Sequence, residues 1–131
     1  MAMPRFELRL NGIDGAEPGD IQKARRFIHE NYTDSISLSG TARAANISAG
    51  HLSEKFKQVT GIKFVEYVGR VRVQQACERL RASNNPISEI AFEVGFQSLS
   101  QFNRLFKKFS GQSPSQYREE YAAQRGKIGR R

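Results

Sequence analysis

The chain has 131 residues, with 21 Lys and Arg against 13 Asp and Glu, a formal net charge of +8. That length suits one domain, or one domain with tails, around a single modest core. The apolar runs are far too short to span a membrane, Met1 to Asp20 carries acids, Pro and Gly in place of an apolar signal segment, and a lone cysteine excludes an internal disulfide framework.

Read in order, the chain opens on Phe6, Leu8 and Leu10 alternating with Glu7 and Arg9, the period of a half-buried strand. The turn signals Asn11-Gly12 and Asp14-Gly15 follow. One strand cannot make a sheet, so residues 1–19 read as a tail or as the remnant of an upstream domain. The period then becomes helical. Ile21, Ala24, Phe27 and Ile28 share one face of a first helix at about 21–31, with Gly19-Asp20 as its capping region. Ser37 caps a second at about 38–45, Asn46-Ile47 makes a turn, and Ser48 caps a third at about 49–59. That third helix is expected to bury Leu52, Phe56 and Val59 and to stop at Thr60-Gly61.

A fourth, longer helix at about 64–83 carries Phe64, Tyr67, Val71, Ala76 and Leu80 as its apolar stripe, with arginines on its flanks and Cys77 as a small core residue. Pro86 opens a fifth helix whose inner face is Ile87, Ile90, Ala91 and Val94. After the turn at Gly95-Phe96-Gln97, Ser98 caps a sixth at about 99–109, which buries Phe102, Phe106 and Phe109 and stops at Gly111. Ser113-Pro114 opens a seventh to about Ala123, and a basic, Gly-containing tail is expected to be disordered from Gln124 onward. The fold expected is all-α, with seven helices in a domain over about 20–121 and a tail over 122–131.

The second half repeats the first. Phe56, Lys57, Gly61 and Tyr67 recur fifty positions later as Phe106, Lys107, Gly111 and Tyr117, and Ser48 recurs as Ser98. Upstream of those serines the offset is forty-nine, since Leu38 matches Ile87, Ala42 matches Ala91 and Ile47 matches Phe96. The second turn is therefore one residue longer. Each copy, at about 37–61 and 86–111, reads as helix, tight turn, helix. In such a unit the first helix crosses the phosphate backbone and the second lies in the major groove with its polar side toward the bases. Twenty residues of connecting helix span about 30 Å at 1.5 Å per residue, close to the roughly 34 Å between successive major-groove faces.

The punctuation of the second copy carries a specific resemblance. Ile87-x-x-Ile90-Ala91-x-x-x-Gly95-Phe96, then Phe102-x-x-x-Phe106-Lys107, then Gly111-x-Ser113-Pro114-x-x-Tyr117-Arg118 resembles the signature of AraC/XylS-type transcription regulators, over about Ile21 to Glu120. The first copy is looser: Thr41 stands where a larger apolar residue is usual, and Gly40 weakens its helix by up to about 1 kcal/mol. The resemblance implies a C-terminal DNA-binding domain of two helix-turn-helix subdomains joined by a long helix, promoter binding, and activation through contact with RNA polymerase.

It also implies base-reading positions at Gly50, Ser53 and Glu54 in the third helix and at Leu99, Ser100, Gln101, Asn103 and Arg104 in the sixth. Arg104 suits guanine O6 and N7, Asn103 adenine N6 and N7, Leu99 a thymine methyl and Glu54 cytosine N4, while Gly50 reads nothing. The second copy is thus expected to carry the larger share of readout. Gln101 has a competing role, since Ser98-x-x-Gln101 is a capping box. Lys57, Arg70, Arg72, Lys107 and Lys108 are candidate phosphate contacts. Ser48 and Ser98 serve as caps, as phosphate-facing helix starts, or as both.

The function expected is a sequence-specific transcription regulator of double-stranded DNA, an activator and the output module of a longer protein. The alternative is an architectural DNA binder with little sequence preference, and a protein–protein adaptor is a further class. No convergent acid, base or nucleophile points to an enzyme, and 2 His with 1 Cys offer neither a metal cluster nor a cofactor site. The expected setting is the cytoplasm, with no membrane partner and with oligomers only through an upstream domain.

Overall fold

The structure is a computed structural model that describes residues 17–129, with side chains described as far as Arg125. The alternating segment Phe6 to Leu10 lies outside the described residues. Seven helices make up the rest: α1 (Gly19–Asn31), α2 (Leu38–Ala44), α3 (Ala49–Thr60), α4 (Phe64–Ala82), α5 (Ile87–Glu93), α6 (Leu99–Ser110) and α7 (Pro114–Gly129). Among the described residues there is no strand, and no helix is long and apolar enough to cross a membrane. The chain divides into two compact units that part between Val71 and Arg72, within α4.

The first unit packs α1, α2, α3 and the start of α4. Ile21, Ala24, Ile28, Ala42, Leu52, Phe56, Tyr67 and Val71 form its core. Phe56 stands edge-on to both Phe64 and Tyr67, with the Tyr67 ring 5.1 Å away. The expected start of α1 is corrected by one turn element: Pro18, not the Gly19-Asp20 pair, occupies the cap position, and its carbonyl accepts from Ile21 and Gln22. Asp20 is left in the first turn, where its carboxylate meets Lys55 Nζ at 3.2 Å and ties α1 to α3. Burial works against that charge, but Lys55, the Ile21 N–H and His51 hold the carboxyl below its ordinary value.

Two weaknesses expected of the first unit are compensated. Thr41 is fully buried, yet its hydroxyl donates to the Ser37 carbonyl at 2.9 Å. Gly40 gives its N–H to the capping Ser37 hydroxyl, and a Cβ there would stand 3.1 Å from that same oxygen. Val59 departs from expectation. It is 37% exposed where its counterpart Phe109 is buried. Both sit in the last turn of their helices, and only the longer aromatic side chain reaches the core from there.

The second unit is built on the same plan. Val73, Cys77, Leu80, Ile90, Val94, Phe96, Phe102 and Phe106 are buried in it, and Phe106 stands edge-on to Tyr117 as Phe56 does to Tyr67. Each unit's tyrosine hydroxyl accepts from an arginine of a preceding helix: Arg25 of α1 bonds Tyr67 at 3.2 Å, and Arg81 of α4 bonds Tyr117. The later part of α4 therefore does for the second unit what α1 does for the first. Arg118 reaches back to the carbonyls of Leu80 and Ser83, capping the end of α4. Burial pushes the Cys77 thiol up to about 11, so it packs as a neutral thiol. The helix α7 overturns the expected break at Ala123. It runs on to Gly129, and within it the Tyr121 ring lies beneath the guanidinium groups of Arg81 and Arg125.

Candidate nucleic-acid interface

The sequence reaches the two exposed helices, α3 and α6, through nearly identical turns. Two residues past the end of each first helix the backbone turns left-handed, at Asn46 with φ 62° and at Gly95 with φ 105°. The next N–H then folds back to the first helix, Ile47 to the Ala42 carbonyl and Phe96 to that of Ala91. After this point the copies differ. Ser48 follows Ile47 directly, whereas Gln97 intervenes between Phe96 and Ser98. Gln97 is thus the extra residue inferred from the change in offset.

The capping serines perform as expected. The Ser48 hydroxyl accepts from His51 N–H and the Ser98 hydroxyl from Gln101 N–H, each at 3.1 Å. The far ends match as well. Gly61 at φ 85° and Gly111 at φ 83° return their N–H groups to Lys57 and Lys107 at 2.8 Å. A hydroxyl clip that sequence reasoning missed reinforces both stops. Thr60 Oγ1 donates to the Phe56 carbonyl and accepts from Ile62 N–H, and Ser110 Oγ repeats this with Phe106 and Gln112. Thr60 and Ser110 lie fifty positions apart, and a search for hydroxyl residues rather than identical ones would have found them.

With their inner stripes buried, α3 and α6 turn the remaining side chains outward. Gly50, Ser53 and Glu54 are exposed on α3, and Leu99, Ser100, Gln101, Asn103 and Arg104 on α6. Among the described residues the Gln101 amide returns no bond to Ser98, so only half of that capping box forms. The complete box is at α7, where Ser113 N–H donates to Gln116 Oε1 and Gln116 N–H to Ser113 Oγ. The Gln101 side chain is therefore left for another partner.

Ser53, Glu54 and Lys57 open onto a groove of about 560 Å³ that also takes in Leu38, Lys63 and Val65. Val65 is 78% exposed. It was missed as a surface feature although the signal was present: it is an apolar residue off the stripe formed by Phe64, Tyr67, Val68 and Val71.

The phosphate candidates fall into two groups. Ser48, Lys57, Ser98, Lys107 and Lys108 are exposed. Lys108 lies 5.6 Å over the ring of Phe109, which leaves its charge at the surface. Arg70 and Arg72 are drawn inward. Arg70 pairs with Glu66 at 3.0 Å, and burial lowers the pKa of Arg72. The readout chemistry of the two helices is also unequal, for Glu54 and Arg104 occupy matching positions with opposite charge.

A model of a helix-turn-helix domain matches residues 41–120. The chain belongs to the AraC/XylS-type family. The AraC-type match takes in both turns, both exposed helices and α4. Among curated relatives, the bifunctional transcriptional activator/DNA repair enzyme AdaA of Bacillus subtilis is 37% identical over 93 residues, which is 71% of this chain and 44% of that protein. Among solved structures, the C-terminal domain of AraT, a response regulator from Geobacillus stearothermophilus, superposes with a TM-score of 0.76 at 33% identity, covering 82% of this chain and 88% of that one. The DNA-binding domain of AdpA, a global transcriptional factor solved with a target DNA, gives a TM-score of 0.77 at 25% identity, covering 82% of this chain and 97% of that one. The AraC-type chain spans less than half the length of its curated relatives, 44%, 35% and 36% of the first three.

Proposed function

We propose that this AraC-type chain is the sequence-specific DNA-binding output module of a longer transcription activator, acting on the bacterial nucleoid and contacting RNA polymerase. In this reading α3 and α6 enter successive major grooves. The observation that carries the reading is the outer face of α6. Leu99, Ser100, Gln101, Asn103 and Arg104 are all exposed, and the half-made capping box leaves the Gln101 amide unspent. Such a row offers donors, acceptors and an apolar tip at a spacing that suits base edges. A merely solvated face has no need of that mixture.

Arg104 reads guanine and Asn103 adenine, with Leu99 on a thymine methyl; Ser53 and Glu54 read fewer bases in the other half-site. The exposed Lys57, Lys107 and Lys108 neutralise phosphates, and the starts of α3 and α6 at Ser48 and Ser98 offer backbone N–H groups to phosphate oxygens. A contact by Arg70 would require it to leave Glu66, so Arg70 and Arg72 contribute less. The test is selection from a random duplex library. The expected result is a site with two halves about 10 base pairs apart and more information in the half read by α6. A flat preference would favour an architectural binder instead, and equal information in both halves would remove the asymmetry.

A further inference from the structure

The groove beside α3 combines two kinds of chemistry. Leu38 and Val65 give it an apolar wall, and the exposed Lys57 and Lys63 give it two cations. Glu54 is the one acid among the described residues that line it. Fifty positions on, Lys57 has a match in Lys107, but Lys63 and Val65 are replaced by Ser113 and Ser115. The extra lysine and the exposed valine therefore belong to the first unit and not to the shared scaffold.

Helix stability explains neither residue. Lys63 and Ser113 hold the same position, each with its carbonyl accepting from the tyrosine four residues on at 2.9 Å. The Ser113 hydroxyl caps α7 by accepting from Gln116 N–H. A lysine side chain has only donors and cannot take that part. Its charge also stands at the positive end of the α4 dipole, where a cation is unfavourable. Val65 keeps 78% of its surface exposed, while Phe64, Tyr67 and Val68 around it are buried. Neither Lys57 nor Lys63 has an ion pair among the described residues.

The two lysines call for an anion, and the apolar wall calls for carbon beside it. Ser53, Glu54 and Lys57 make the groove continuous with the outer face of α3, so its occupant lies alongside what α3 holds. A phosphodiester strand meets all three requirements, since its phosphates alternate with the carbon edges of deoxyribose. We propose that one sugar–phosphate strand of the duplex runs through this groove, with Lys57 and Lys63 on its phosphates and Val65 and Leu38 against its sugars. The inference rests on the DNA-binding reading above and deepens it. Lys63 and Val65 become positioning residues, a grip independent of sequence for the unit whose α3 offers less to base edges.

The experiment uses the full chain and the duplex recovered by library selection. Lys63→Ser and Val65→Asp are compared with Lys23→Ser, which makes the same change in net charge at an exposed site outside the groove. Lys63→Ser supplies the missing cap, and Val65→Asp adds an acid to the first turn beside Glu66, so both should melt at or above the wild-type temperature. Both are nevertheless expected to weaken binding at least about fivefold at 0.1 M salt, on unrelated duplexes too, and Lys63→Ser to lower the log–log salt slope by about 0.9. Replacing single phosphates with uncharged methylphosphonates should cost the wild type affinity at one backbone position beside the α3 half-site, and cost Lys63→Ser nothing there. If Lys63→Ser weakens binding no more than Lys23→Ser does, the effect is net charge alone and the proposal fails. It fails as well if Val65→Asp binds within about twofold of wild type, or if the methylphosphonate loss persists in Lys63→Ser. A wild type that binds no duplex would overturn the DNA-binding reading and this inference with it, whereas failure confined to the variants leaves that reading standing.

Discussion

Tyr67 brings polar chemistry into an apolar core. Its hydroxyl accepts from Arg25 and meets His29 Nε2 at 2.9 Å. A neutral Nε2 can accept the hydroxyl proton there, and burial favours that neutral form. Burial first, and then the Arg25 charge, lower the His29 pKa from its ordinary 6.5. The unfolded chain therefore binds more protons between the two pKa values, and stability rises with pH there. The stability tied to neutral His29 is fully present above about 6.5 and is lost as pH falls through the lower folded value. Urea unfolding measured from pH 8 to pH 5 should show that decline, and His29→Gln should flatten it. At the surface, Arg104→Ala should cost about 1–3 kcal/mol and relax preference at one base. An unchanged preference in library selection would contradict the guanine assignment. Residue roles were legible to different depths. The capping serines and stop glycines follow from chemistry that is local in sequence. The Arg25–Tyr67–His29 set was not visible, because Tyr67 lies 42 and 38 residues from Arg25 and His29 and each alone looks like an ordinary helix residue.

Between elements, the stops and starts control how α3 and α6 are presented. Gly111 at φ 83° has open space around a would-be Cβ, so Gly111→Ala would fail through backbone strain rather than a clash. The left-handed conformation costs a non-glycine residue about 1–2 kcal/mol, and the melting temperature should drop accordingly. Ser98→Ala removes a cap worth about 1 kcal/mol, and because the two positions flank opposite ends of α6 and share no partner, the losses should add to within about 0.5 kcal/mol. A melt of the double variant checks that additivity. Helix order and boundaries could be read because apolar period and punctuation agree along the chain. Of the two misjudged ends, Val59 and the extension of α7 past Ala123, the first depends on how far a side chain reaches, which is not local.

For the molecule as a whole, the exposed cations set how binding responds to salt. Each neutralised phosphate adds roughly 0.9 to the log–log slope. Lys107→Ala should therefore weaken all duplexes alike and lower the slope by about that amount, which titrations between 50 and 200 mM salt would resolve. A change confined to one sequence would move Lys107 from positioning to readout. The single inserted Gln97 has a practical consequence for exchanging specificity between the units. The scaffolds align at one offset before the turn and at another after it, so any transplant must be registered on the capping serines. In that register Gly50, Ser53 and Glu54 stand where Ser100, Asn103 and Arg104 do. Trading those triplets should give a molecule that prefers the operator with its halves interchanged, turning the orientation of the bound module into a designable property.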